Sequence, residues 1–343
     1  MAGGIMLFGA TAVGAEEAWV RVRSQHFEVI SDAPPVHARA AAVRLERFRR
    51  VLAEVFRTTQ DEVPTVVIAF RDQASFAPFL PTYRGRRQDV DGYFQAGSDR
   101  DYIAACLGPA EGDPDETLFH EYAHVLLNRT LAAQPLWLAE GLAEVFSRWS
   151  AAGAEARVGL AAPDHVRRLQ RETLLPVARV LHVDYTSPLY NEGDQRALFY
   201  AESWALAHWV LLGRGETGPA DLQAFLAAIA QGVDPEAAFR SAFGLDAPAA
   251  EAMLAAYVAD APSVGRYTVA GLEEDVVVET ESPARALVES RLGDLLLHGG
   301  RLAEARRHLD RAVASDARFG PAHSALAEVA LRLGHWDEAR HEV

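Results

Sequence analysis

Two histidines four residues apart, with a glutamate directly after the first, form the segment of this chain best suited to chemistry: His120-Glu121-Tyr122-Ala123-His124. On a helix, positions i and i+4 share a face, so both imidazoles can point at one metal ion ~2.0–2.1 Å from each nitrogen. Glu121 lies one position on and is rotated aside, where it reaches a metal-bound water rather than the metal. Leu118, Phe119, Val125, Leu126 and Leu127 supply the apolar flank that such a helix buries. Five residues are a weak signal alone, and the signal strengthens downstream. Trp137-Leu-Ala-Glu140-Gly141-Leu-Ala-Glu144 follows, with 15 residues between His124 and Glu140, enough to finish one helix, turn, and bring a second alongside. A catalytic zinc takes three protein ligands and keeps one open position. Glu140 supplies the third ligand and water fills the fourth position. With one cysteine, Cys106, the chain has neither an intrachain disulfide nor a thiolate cluster, so a transition-metal site must use histidine and carboxylate.

H-E-x-x-H followed by W-L-x-E-G resembles the gluzincin metallopeptidases, whose relatives include thermolysin and the zinc aminopeptidases. More closely, the chain is similar to bacterial peptidase MA-like domains that carry tetratricopeptide repeats after the protease domain. The resemblance covers roughly residues 116–260 of the catalytic part. It implies an α+β, thermolysin-like zincin: a small mixed sheet, then a helical part bearing the motif. It also implies one Zn2+ per chain, Glu140 as third ligand, Glu121 as general base, and a peptide or protein substrate. Thermolysin-like enzymes place an acid one turn after the ligand glutamate, so Glu144 is expected to hold the free N–H of a ligand histidine; the competing reading is a solvated helix acid. Gly141, without a Cβ, would let the two motif helices approach closely. In Leu198-Phe-Tyr200-Ala-Glu-Ser-Trp204-Ala-Leu-Ala-His208, Tyr200 is expected to face the cleft and donate to the oxyanion. Its other reading is an ordinary core aromatic, and Tyr190 is the weaker substitute. His208 reads as core, and His165, His182, His298, His308 and His323 show no partner spacing and are assigned no role. The glycine-alanine-methionine-glutamate-asparagine run of aminopeptidases is not matched by Gly92-Tyr-Phe-Gln, which leaves endo- against exopeptidase action open.

The elements that must position these residues follow from periodicity. Residues 19–30 alternate as one half-buried strand, 36–57 carry helical spacing, and Pro64 opens a short buried strand ending at Phe70. Residues 91–107 read as a hairpin with its turn at 97–100. Asp113-Pro-Asp-Glu is a helix start, with Asp113 at the N-cap and acids at the positive end of the dipole. Helices are expected at about 114–128, 136–150, 164–171, 196–212, 219–230, 235–243 and 247–258. The peptidase domain is thus expected over 16–260, with its sheet part at 16–112 and its helical part at 113–260. Residues 261–283 are expected to be an extended linker or hairpin. Over 284–343, Gly300-Arg-Leu-Ala-Glu-Ala-Arg306 aligns with Gly334-His-Trp-Asp-Glu-Ala-Arg340 at a spacing of 34, the tetratricopeptide period. These repeats are expected to offer a surface to a protein partner. They are also expected to be separable, so that a chain ending near Pro283 keeps the metal centre.

Composition narrows the partners. The net charge is −15 and all 33 basic residues are arginine, a balance that argues against nucleic acid or an anionic membrane surface. No segment is long and apolar enough for a membrane span. The apolar run over 1–15, ending Val13-Gly-Ala15, fits a signal peptide apart from its missing basic start, and implies an exported protein, periplasmic or secreted. Three readings are carried forward: an active zinc peptidase, a degenerate peptidase fold used as a binding module through its repeats, and a purely structural scaffold. The intact set of His120, Glu121, His124 and Glu140 tells against the second, since a degenerate enzyme typically loses one of them, and more strongly against the third, because burying three ionisable groups unpaired is costly.

Overall fold

The computed structural model describes residues 19–57, 64–97, 99–108, 114–131, 133–192, 195–260 and 263–342. The expected signal segment and the Asp113 N-cap lie outside them. Within them the chain is a mixed α+β protein.

The alternating stretch at the start is not one strand but two: β1 (Val20–Arg23) and β2 (Phe27–Ser31) pair antiparallel, with Val22 opposite Val29. The break falls at Ser24-Gln25-His26, where the Ser24 amide donates to the Phe27 carbonyl at 3.0 Å and closes the turn. After α1 (Pro35–Phe56) comes β3 (Thr65–Phe70), parallel to β2 as a helical crossover allows. A short α2 (Gln73–Phe76) and a two-stranded ribbon, β4 (Thr82–Tyr83) with β5 (Arg86–Arg87), lead to the expected hairpin, β6 (Gly92–Gln95) and β7 (Asp101–Cys106). β7 lies parallel to β3, which leaves β6 as the outer strand.

Two long helices follow, α3 (Pro114–Thr130) and α4 (Leu136–Ser147). The chain then forms an unexpected hairpin, β8 (Trp149–Ala152) and β9 (Glu155–Val158), turned at Gly153 with φ +62°. Ser-Ala-Ala carries no strand preference of its own, so tertiary pairing alone sets it. The helical run continues with α5 (Pro163–Arg171), α6 (Val177–Leu181), α7 (Pro188–Asn191), α8 (Gln195–His208) ending in a wider turn at Trp209–Gly213, α9 (Gly218–Ala230), α10 (Pro235–Phe243) and α11 (Ala247–Tyr257). Buried Glu202 of α8 ties down the segment before α6 by accepting the Leu175 amide at 2.6 Å. Burial pushes its carboxyl up to about 8 despite that bond.

The segment expected to link two domains is built into the sheets. β10 (Gly265–Thr268) pairs with β9, and β11 (Glu279–Glu281) pairs with β1, giving a six-stranded order β11-β1-β2-β3-β7-β6. Salt bridges Arg23–Glu279 and Arg21–Glu281, both at 2.8 Å, align that returning edge.

The last helices, α12 (Arg285–His298), α13 (Leu302–Ser315), α14 (Gly320–Leu333) and α15 (Trp336–His341), form two hairpins. Gly300 and Gly334 hold the same left-handed turn, φ +74° and +78°, one repeat length apart. Gly293 is needed where α12 meets α13, because a Cβ there would stand 2.7 Å from Leu309 Cγ.

The sheet is covered on both faces, which is why β3 is buried at all six positions. Val67, Ala69, Ile103 and Ala105 face α1 and α3. Val66, Ile68, Phe70, Tyr102 and Cys106 share a second cluster with Leu292, Leu295 and Leu296 of α12. The Tyr102 hydroxyl donates to Asp294 at 2.5 Å, and Arg291 pairs with Glu28 at 2.7 Å. The C-terminal helices therefore complete the core of the sheet domain, and the expected separability fails on this packing.

A chain ending at Pro283 should accordingly be insoluble or unfold without cooperativity, since it uncovers a whole apolar sheet face. The milder change Leu296→Ala should cost about 2–5 kcal/mol in denaturant unfolding. A truncated chain that is monomeric and unfolds cooperatively would show that this face does not need its cover.

Candidate metal centre

α3 and α4 cross so that the four-residue spacing and Glu140 meet. The His120 and His124 Nε2 atoms stand 3.0 Å apart. Glu140 Oε2 is 3.3 Å from the first and 3.4 Å from the second. With bonds of ~2.0–2.1 Å, neighbouring ligand atoms of a tetrahedral ion stand about 3.3–3.4 Å apart. The three atoms therefore have the spacing of one face of such a tetrahedron, and two imidazoles with a carboxylate are a donor set zinc accepts. Glu140 is buried, and its helix is held deep by Gly141. The sequence placed Gly141 between the two motif helices, but the close approach is to α8: a Cβ would meet the Ser203 carbonyl oxygen at 2.1 Å.

The charges are arranged around these atoms. Burial works against ionising Glu140, yet His124 and His120 hold its carboxyl well below the usual range. Burial likewise opposes a charged His120, but Glu140, Glu144 and Glu121 raise its pKa to about 9. A metal binding here must displace that proton.

Glu144 faces the other nitrogen of the same ring: its Oε1 is 3.6 Å from His120 Nδ1, the orientation expected of a carboxylate that fixes a ligand imidazole. It is not a solvated acid. His165, given no role from sequence, sits against it with Nε2 3.0 Å from Glu144 Oε2 and its ring 5.8 Å from that of Trp204. Burial opposes ionisation of Glu144, and His165, His120 and Arg148 outweigh it. Sequence spacing missed His165 because it comes from α5, 21 residues beyond Glu144, with no periodic relation to it.

Glu121 lies outside the converging set. It is buried beside the edge strand, where burial raises its carboxyl and the two histidines pull it back. Gly92 of β6 makes that proximity possible: a Cβ would stand 2.7 Å from Thr117 Cγ2 and 3.3 Å from Glu121 Cγ.

Tyr200 is brought to the site, its ring centroid 6.4 Å from that of His120. Tyr190 joins it, the rings stacked at 6.2 Å, and burial, then nearby Glu140, raises its hydroxyl too. Burial, then Glu140, pushes the Tyr200 hydroxyl well above its ordinary value, so it stays a donor. His208, by contrast, is core: its nitrogens meet the Tyr257 hydroxyl at 2.6 Å and the Gly159 carbonyl at 3.0 Å.

Two cavities, of about 480 and 400 Å³, open over the centre and share His120, Glu121, Gly92, Arg196 and Tyr200 as lining. The first is charged, with Asp89, Glu116, Arg148, Asp164 and Arg168. The second is aromatic, with Tyr83, Phe94, Tyr185 and Tyr190. No helix among the described residues is long and apolar enough to cross a membrane. No family model matches this chain, and no curated protein matches it.

If Glu144 and His165 orient His120, Glu144→Ala should weaken zinc binding by roughly 10–100-fold, and His165→Ala should weaken it in the same direction. Competition with a chromogenic chelator measures this. Unchanged affinity in Glu144→Ala would make the contact incidental.

Proposed function

We propose that this protein is a zinc metallopeptidase of the gluzincin type that hydrolyses peptide bonds. The observation that carries the reading is the triangle of His120, His124 and Glu140 ligand atoms, with edges of 3.0, 3.3 and 3.4 Å, opening onto a cleft. In support stand the acid behind His120, a buried glutamate outside the ligand set, and two tyrosine hydroxyls beside it. The paired C-terminal hairpins with a spacing of 34 agree with the tetratricopeptide reading, and a protein partner on them is part of the proposal. The resemblance to peptidase MA-like domains and an exported location are retained as expectations of the same reading.

His120, His124 and Glu140 would hold the zinc, which would supply a Lewis acid and bring the pKa of the attacking water toward ~7. Glu121 accepts the water's proton and later delivers it to the leaving amine. Its buried setting suits that exchange, since burial raises the carboxyl's pKa and so makes the carboxylate a stronger base toward the water's proton. Tyr200, with Tyr190 behind it, donates to the oxygen on which charge develops. The outer strand β6 lies alongside, and its residues line the aromatic cavity where a substrate chain would rest.

The binding-module alternative keeps the metal and loses the chemistry, so one variant separates the two. Glu121→Gln preserves size and should retain zinc and fold, while hydrolysis of a peptide library falls by roughly 10²–10⁴-fold. Full hydrolysis by Glu121→Gln would remove Glu121 as the base. A zinc-bound wild type that cleaves no peptide would favour the binding module.

A further inference from the structure

Three arginines line the two cavities above the metal centre, and they are not equivalent. Arg148 is paired with Glu116 at 3.0 Å, and Arg168 with Glu172 at 2.5 Å. Arg196 has no carboxylate partner among the described residues. Its one hydrogen bond there runs from Nη2 to the Asp89 carbonyl oxygen at 3.1 Å. A guanidinium has five N–H donors in a planar fork matched to a carboxylate, so among the described residues most of this fork is unused.

Its position gives the unused donors a purpose. Arg196 stands on α8 one turn before Tyr200, on the same helix face, and its charge is felt by the Tyr200 hydroxyl. It lines both cavities over the centre and also a third, of about 630 Å³, where β4 and β5 present Arg86 and Arg87. The chain as a whole carries −15, so this is a local concentration of positive charge against the general field. The bond to Asp89 also spans the cleft, since Asp89 precedes β6 while Arg196 belongs to the helical side. The Tyr83 hydroxyl spans it again, donating to the Thr186 carbonyl at 3.0 Å. The guanidinium is thereby fixed where a substrate must pass.

We infer that Arg196 binds a carboxylate of the peptide substrate, making it a specificity-determining residue. This rests on the peptidase reading for the identity of the ligand as a peptide. The carboxylate has two sources, the peptide's own C-terminus or an acidic side chain near the scissile bond. Elsewhere in the charged cavity Glu116 is matched by Arg148 and Asp164 by Arg167, so among the described lining residues the Arg196 guanidinium is the cation left to take a carboxylate.

The test measures binding, so that it does not depend on turnover. An N-acetylated hexapeptide of alanine and phenylalanine is titrated calorimetrically into zinc-treated Glu121→Gln protein as the free acid and as the C-terminal amide. A set of amides with one glutamate moved through the sequence is titrated alongside. Tighter binding of the free acid, by about tenfold or more, identifies the terminus as the source. Tighter binding of one glutamate-bearing amide identifies the side chain. In either case adding Arg196→Gln should bring the ratio close to one, and Arg196→Lys should restore part of it. Equal affinity for all the peptides, no binding of any, or a preference that survives Arg196→Gln in a folded protein would overturn the inference. Failure of wild-type hydrolysis would count against the peptidase reading instead, and shows separately.

Discussion

The structure depends on bringing three ionisable side chains from two helices to one point and burying them there. Glu140 is almost wholly excluded from water, and His120 and His124 are largely so. An ionised carboxylate buried alone would cost far more than a folded protein's margin of stability. In the chain without metal, the charge is answered by the imidazoles, with His120 keeping its proton up to about 9. This is a buried ion-pair cluster, and such clusters seldom add stability over an apolar replacement. The same three atoms, gathered at the floor of the cleft, are spaced so that they could hold a metal ion that takes two nitrogens and one oxygen.

The rest of the fold follows from holding that point. α4 must lie deep, and Gly141 permits it by bringing α4 onto the backbone of α8 at Ser203. α3 must lie against the edge of the sheet, and Gly92 permits that. The sheet must then be rigid, and it is covered on one face by α1 and α3 and on the other by α12. The hydrophobic spacing that places α12 on the sheet also places its hairpin with α13, so the helical repeat and the sheet share one core. The cleft is what remains between β6 and α8, with its walls joined by Arg196 and Tyr83.

Much of this was legible in the sequence, and the failures have physical causes. Local signals worked where the elements are long and periodic: α1, α3, α4, α8 and the β6–β7 hairpin lie near their expected bounds. The donor set was legible because a four-residue helical spacing is itself geometry. Long-range arrangement was not. Residues 261–283 read only as a linker or hairpin because an extended pattern cannot say which strands it joins. The β8–β9 hairpin carries alanine and serine where a strand would be recognised by branched residues. His165 and Arg196 reach the site by tertiary folding alone, and an arginine without a carboxylate partner among the described residues cannot be told from a paired one until its neighbours are placed. The first strand was misjudged because alternation continues across a tight turn at Ser24.

The central claim is that His120, His124 and Glu140 bind one metal ion together. The direct measurement is metal content by inductively coupled plasma mass spectrometry, on wild type and on Glu140→Ala, each purified, stripped, reloaded with zinc and desalted. The account predicts one zinc per wild-type chain, and loss of that zinc in Glu140→Ala with the helical circular-dichroism spectrum retained. A folded wild type that holds no zinc, or a Glu140→Ala protein that keeps one equivalent at wild-type affinity, would contradict it.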